Sequence, residues 1–170
     1  LKNQNFTVSI DSLDEKNLLA GAKAGADFLL SLQEKSIWVM DEVEAIPVII
    51  PEYPSEEKKF YKLVEKLLKS NKEFIADSIL EPINFGFTDS LVRYHSFRKN
   101  FPSVEIMMGI GNLTELTHAD TAGMNALLFG IASELEINYA LCTQVSEHCN
   151  KAIIEGNFAR RIMHTTKTYS

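Results

Sequence analysis

The sequence predicts an α/β fold in which parallel strands alternate with helices. Three observations carry that expectation. Short apolar runs recur along the chain, separated by longer stretches with helical periodicity. No repeat, low-complexity stretch or Pro/Ser-rich linker interrupts this alternation, so residues 1–170 read as one domain. Each apolar run is polar at its C-terminal end, where the loops of parallel sheets gather around ligands. Six strands with crossover helices fit either a doubly wound sheet or part of a barrel.

The first strand is expected at Phe6–Ile10, ending in Asp11-Ser12. A helix over Leu13–Ala24 follows, with Leu18, Leu19 and Ala22 on one face. Asp11 or Ser12 would cap it through a side-chain oxygen, and Gly25 would end it in the left-handed conformation. Ala26–Leu32 is the second strand, with a short helix near Ser36–Val43. Ile46–Pro51 is the third strand. Pro54 and Ser55 lead into a charged helix over Glu56–Ser70, whose buried side is Leu63, Val64, Leu67 and Leu68. The fourth strand is Glu73–Leu80, followed by a helix over Ser90–Asn100. Val104–Met108 is the fifth strand and ends in Gly109-Ile110-Gly111-Asn112. A helix rich in Ala, Leu and Met spans Ala119–Leu135, the sixth strand Ile137–Cys142, and the last helix Ser146–Phe158.

Bulk composition narrows the function classes. Hydrophobic residues make up 45% and charged residues 24%, as in ordinary globular domains. The net charge is −6, and no basic run is long enough to track a phosphate backbone, which argues against nucleic acid. The densest basic cluster, Arg160, Arg161, His164 and Lys167, reads first as a solvated helix end. Cys142 and Cys149 are too few for a disulfide framework and read as thiols in a reducing, cytoplasmic setting. No apolar run reaches the ~18 residues of a membrane span. No signal peptide is visible, although the chain opens on Leu1 rather than Met.

The strand ends supply the candidate site: Asp11-Ser12, Ser31, Asp77-Ser78, Asn112 and Thr143-Gln144. Carboxylates, hydroxyls and amides gathered on one rim suit a small heterocycle with both donors and acceptors. Asp11 is read as a helix cap or a ligand contact. Asp77 lies in the otherwise apolar Phe74–Leu80 run, where a carboxylate needs an ion pair, hydrogen bonds or a ligand. Gly109-Ile110-Gly111-Asn112 lacks the third glycine of a dinucleotide fingerprint, so its glycines serve a tight turn or a close approach. Asn112 and Glu115 have capping-box spacing. His118 and Asp120 read as exposed or capping residues, and His95 and His164 need no special role. Zinc on Cys142, His148 and Cys149 would need unusual spacing, and no metal site is expected.

These residues resemble the pterin-binding barrel family of dihydropteroate synthases and methyltetrahydropterin methyltransferases. Val8-Ser9-Ile10-Asp11-Ser12, then a helix closing with Ala24-Gly25-Ala26-Asp27, is similar to the middle of that barrel. Ile75-Ala76-Asp77-Ser78-Ile79-Leu80-Glu81-Pro82 resembles the family's Asp-Pro-rich strand. Gly109-Ile110-Gly111-Asn112 looks like the methyltransferases' Gly-Leu-Ser-Asn turn. The stretch Leu113–Glu134, with Thr117-His118-Ala119-Asp120 and Gly123-Met124-Asn125, looks most like archaeal dihydropteroate synthase-like proteins.

The resemblance implies the C-terminal portion of a (β/α)8 TIM barrel, with the chain beginning at about the fourth strand. Such a barrel needs about 250 residues. A missing N-terminal segment or another chain, in a homodimer for instance, would then complete it. Asp11 and Asp77 would hydrogen-bond the pterin's amino and ring N–H groups, and Asn112 would lie beside N5. Ser31 stands where the family usually has Asn, and a hydroxyl cannot bridge a donor and an acceptor as an amide does. Asp77 and Asn112 would be the catalytic residues.

The implied activity is that of a pterin-binding transferase, dihydropteroate synthase-like, in folate or methanopterin biosynthesis. Its ligand would be a reduced pterin, with Mg²⁺ accompanying a pyrophosphate substrate. This chain lacks the synthases' Ser-Arg-Lys-Ser turn and their Arg-x-His near the last strand, which ends in Thr143-Gln144. One alternative is therefore a methyltetrahydropterin-to-corrinoid methyltransferase, with a corrinoid protein as partner. The other is a non-catalytic pterin-binding domain.

Overall fold

Leu29, Leu30, Leu32, Val48, Ile49, Ile75 and Ala76 are all buried, and the runs that hold them pair as strands. The computed structural model describes residues 1–169, with side chains through residue 166. The described chain forms two units, Leu1–Asp77 and residues from Ser78 onward. Both follow the expected plan of parallel strands alternating with helices.

The first unit holds β1 (Ser9–Asp11), α1 (Glu15–Lys23), β2 (Phe28–Leu32), β3 (Ile46–Ile49), α2 (Glu57–Lys69) and β4 (Ile75–Ala76). Its strands pair in parallel and in chain order, with Ser9 opposite Phe28, Phe28 opposite Ile46 and Val48 opposite Ile75. The short helix expected at Ser36–Val43 is a 3₁₀ helix over Glu34–Asp41, closed at its start by reciprocal bonds between Gln33 and Ser36.

Helix α1 starts later than the sequence suggested. Asp14 is its cap, accepting from the amides of Lys16 (2.8 Å) and Asn17 (3.4 Å). Ser12 accepts from the Asp14 amide at 3.0 Å, so neither Asp11 nor Ser12 caps the helix. Its end is as expected: Gly25 has φ +98°, and the amides of Gly25 and Ala26 bond back to Ala22 and Gly21. Gly21 itself has no room for a side chain, because a Cβ would lie 2.4 Å from Ile10 Cδ1. Phe60, Leu63, Val64 and Leu67 form the buried stripe of α2, at the i, i+3, i+4, i+7 spacing of one helix face. Leu68, expected in that stripe, is 45% exposed, and the stripe begins instead one turn earlier, at Phe60.

The second unit holds α3 (Phe87–Asn100), β5 (Glu105–Met108), α4 (Gly111–Thr114), α5 (Thr121–Glu134), β6 (Tyr139–Ala140) and α6 (Ala152–Tyr169). Met107 and Met108 pair in parallel with Tyr139 and Ala140. Tyr94, Phe97, Ile106, Met108, Ile110, Leu113 and Leu128 are buried, and Phe97 meets Phe101 with ring centroids 4.9 Å apart.

Several boundaries moved for local reasons. The strand expected over Glu73–Leu80 is only Ile75–Ala76, and Ile79 turns left-handed at φ +64°. That conformation is an outlier for a β-branched residue and stops the extended run. The last helix begins at Ala152 rather than Ser146, because the amides of Val145 and Ser146 are bound to the Glu115 carboxylate. It runs on past Phe158 to Tyr169 through a stretch with no Gly or Pro to break it. Among the described residues no helix is long and apolar enough to cross a membrane.

Candidate functional site

Three of the sequence-predicted site residues follow from the strand ends of the first unit. Asp11 is the last residue of β1 and sits in register with Leu30 of β2. Ser31 comes next along β2, and its hydroxyl donates to Asp11 Oδ1 at 2.7 Å. Ser31 has φ +66°, and the β2–β3 register shifts between Leu29 and Leu32 around it. A left-handed residue with a Cβ costs about 1–2 kcal/mol, so the surrounding sheet must impose it. Asp77 directly follows β4, and its amide extends the ladder by bonding Ile49 O at 2.9 Å. Asp11 is exposed and Asp77 half-buried. The sequence expectation that Asp77 is buried inside a strand is thus corrected: the strand stops one residue earlier, and Asp77 follows it as a half-buried residue.

All three residues therefore lie at carboxyl ends of parallel strands. Asp11 and Asp77 belong to strands three spacings apart, about 14 Å along a sheet with ordinary strand separation. The same end of β3 carries residues that sequence reasoning missed. Glu34, Glu52, Glu56 and Lys59 line a recess of about 20 Å³ beside Ile50 and Pro51, room for one water. Lys59 pairs with Glu56 at 2.5 Å, and that pair, with Glu52 and Glu34 beyond it, raises the Lys59 pKa. Glu56 Oε2 is buried without a hydrogen-bond partner. The run Glu52-Tyr53-Pro54-Ser55-Glu56 after an apolar strand was the available signal.

Asn112, the fourth predicted residue, is exposed in the first turn of α4 in the second unit. One amide N–H of its side chain donates to Leu80 O at 2.9 Å. The preceding Gly111 is closely approached, since a Cβ there would stand 2.5 Å from Thr143 Oγ1 and that hydroxyl would have to move. The capping-box pairing of Asn112 with Glu115 does not form. Glu115 reaches instead to the amides of Val145 (2.7 Å) and Ser146 (2.9 Å), which lowers its pKa to about 2. The segment after β4 is braced by Arg93, which donates to Ser78 O (3.3 Å), Ile79 O (3.0 Å) and the Glu81 carboxylate (2.7 Å).

Asp120 caps α5 by accepting from the amides of Ala122 and Gly123. His118 stacks on His148, with centroids 4.3 Å apart and planes 27° from parallel. His148 Nε2 and the Cys149 thiol both donate to Thr114 O, at 2.9 and 3.1 Å. Burial pushes both thiols, Cys142 and Cys149, up in pKa, which keeps them protonated. Among the described residues no group of three His, Cys, Asp or Glu side chains could hold a metal ion. Arg160 and His164 border a cavity of about 280 Å³ with Phe129, Ile137, Tyr139 and Met163. The side chain of Lys167, read with them as a basic cluster, lies outside the described residues.

No protein-family model matches the chain. It is similar to an uncharacterized protein of Methanocaldococcus jannaschii, with 32% identity over 178 aligned positions. The match takes in 94% of this chain and 34% of that relative, so the chain spans about a third of the relative's length.

Proposed function

We propose that this chain is the pterin-binding part of a dihydropteroate synthase-like transferase acting in folate or methanopterin biosynthesis. The observation that carries the reading is the strand-end set of the first unit: Asp11, Ser31 and Asp77 at carboxyl ends of one parallel sheet, with Ser31 bonded to Asp11. Two acceptor carboxylates there suit the amino and ring N–H groups of a reduced pterin. Backbone strain at Ser31 supports the same reading, since imposed outliers cluster at ligand sites. In the barrel that the reading implies, further strands come from elsewhere in a longer protein or from a second chain.

The methyltransferase reading is favoured by one feature of the second unit. The Gly109-Ile110-Gly111-Asn112 segment, which opens α4, offers Asn112 and no Lys or Arg with which to grip a pyrophosphate leaving group. There Asn112 would answer charge changes at the pterin N5, and a corrinoid protein would take the methyl group.

Calorimetric titration with 7,8-dihydropterin and with its hydroxymethyl pyrophosphate ester tests both. We expect dihydropterin binding that Asp77→Ala weakens at least about tenfold while the chain stays folded. Equal affinity of the wild type and Asp77→Ala would sink the site assignment. Extra affinity for the pyrophosphate ester supports the synthase reading, and none supports the methyltransferase.

A further inference from the structure

We propose that Ser31 is a positioning residue that sets the Asp11 carboxylate for its ligand, rather than a ligand contact in its own right. The proposal rests on the pterin reading above and assigns a division of labour within it. A serine hydroxyl has one proton, and that proton is committed to Asp11 Oδ1 at 2.7 Å. Ser31 is the one side chain that hydrogen-bonds the Asp11 carboxylate among the described residues. Asp11 is exposed at the carboxyl end of β1, so without this bond its carboxylate could rotate freely about its own side-chain torsions.

The backbone points the same way. At φ +66° glycine is free of strain and asparagine is tolerated better than serine. A requirement for the turn alone would favour either of them. What serine brings is a short donor, and the register shift between Leu29 and Leu32 sets it beside Asp11. With Oδ1 held by Ser31, Asp11 Oδ2 is left to accept from a ligand N–H, and its direction is fixed before the ligand arrives. Pre-orientation of this kind lowers the ordering cost of binding.

Three variants of the full chain separate hydroxyl from backbone. Ser31→Gly removes the donor and relieves the left-handed strain. We expect an unfolding midpoint equal to or above that of the wild type, with dihydropterin affinity reduced about tenfold. Ser31→Asn tolerates the turn but carries its donor farther from the backbone, and should recover little of the loss. In the ligand-free protein the carbon-13 resonance of the Asp11 carboxyl should move in both Ser31→Gly and Ser31→Asn. Adding Ser31→Gly to Asp11→Asn should cost no further affinity. If dihydropterin binds the wild type and Ser31→Gly equally, the positioning role is wrong and the pterin reading stands. If dihydropterin does not bind the wild type at all, both fall, whatever the resonance does.

Discussion

The two units satisfy their backbones by different means. In the first, four parallel strands bond one another in sequence, and the ladder extends past β4 through Asp77. In the second, β5 and β6 pair at two positions, and the amides of Asn138 and Leu141 extend that ladder to Ile106 O and Met108 O. Side chains add further bonds to backbone groups at and beyond the strand ends. Asn138 Oδ1 accepts from the amide of Ile106 at 3.0 Å. Arg98 donates to the carbonyls of Leu135 (2.8 Å), Glu136 (2.7 Å), Pro102 (2.8 Å) and Val104 (2.9 Å). Buried backbone groups must find partners somewhere, and beyond the helices and strands of this unit that duty falls to side chains. A ladder is spread over many residues, whereas a clamp is concentrated in one. Single polar substitutions should therefore cost more in the second unit than in the first.

Arg98→Ala gives the largest expected effect. It strips partners from at least four carbonyls at the ends of α3 and α5, and a charged donor bond contributes more than a neutral one. We expect a loss of about 3 kcal/mol in unfolding free energy, read by denaturant titration. Arg98→Lys should recover little, because an ammonium lacks the planar fork that reaches several carbonyls at once. A loss below about 1 kcal/mol for Arg98→Ala would break the comparison.

The matching substitution in the first unit is Asp14→Ala, which removes the cap of α1. Two amides lose an acceptor, but they lie at an exposed helix start and can turn to water. About 1 kcal/mol is the usual cost of such a cap. If Asp14→Ala proves as costly as Arg98→Ala, concentration of bonding in the second unit is not what distinguishes the two.

The same difference explains what could be read from the sequence. The first unit's strands and helices declare themselves through periodicity, and α2 shows its stripe at Leu63, Val64 and Leu67. The alternation of parallel strands and helices was legible for the same reason. Side-chain clamps leave no such trace. Nothing in the spacing of Arg98 marks a residue that reaches 37 positions along the chain to Leu135. Glu115 was three residues from Asn112, which suggested a local cap, yet its partners are 30 and 31 residues away. The strand-end position of Asp11, Ser31 and Asp77 was legible because a polar residue closing an apolar run is a local signal. The bond from Ser31 to Asp11 was not, since strand register lies outside a one-dimensional pattern. The acidic recess at β3 stayed hidden because Glu34 enters it from a different segment.

Glu115 gives the smallest effect on global stability and the sharpest one on pH dependence. Its carboxylate is held at about 2, well below the ordinary 4.5, chiefly by the Val145 amide and then by Ser146. A carboxyl group with a depressed folded pKa stabilises the fold fully above its unfolded value. That contribution fades as pH falls through the folded value, so the window runs from about 4.5 down to about 2. Because the side chain is solvent-accessible, the loss should be local: the segment before α6 loosens while the rest persists. Amide hydrogen exchange at Val145 and Ser146 should accelerate across that window, once corrected for the intrinsic pH dependence of exchange. In Glu115→Gln the two amides should exchange faster even at neutral pH, and the extra acid sensitivity should vanish. Unchanged acid sensitivity in Glu115→Gln would mean that another group anchors this segment, and that the second unit's reliance on single side chains stops short of its last helix.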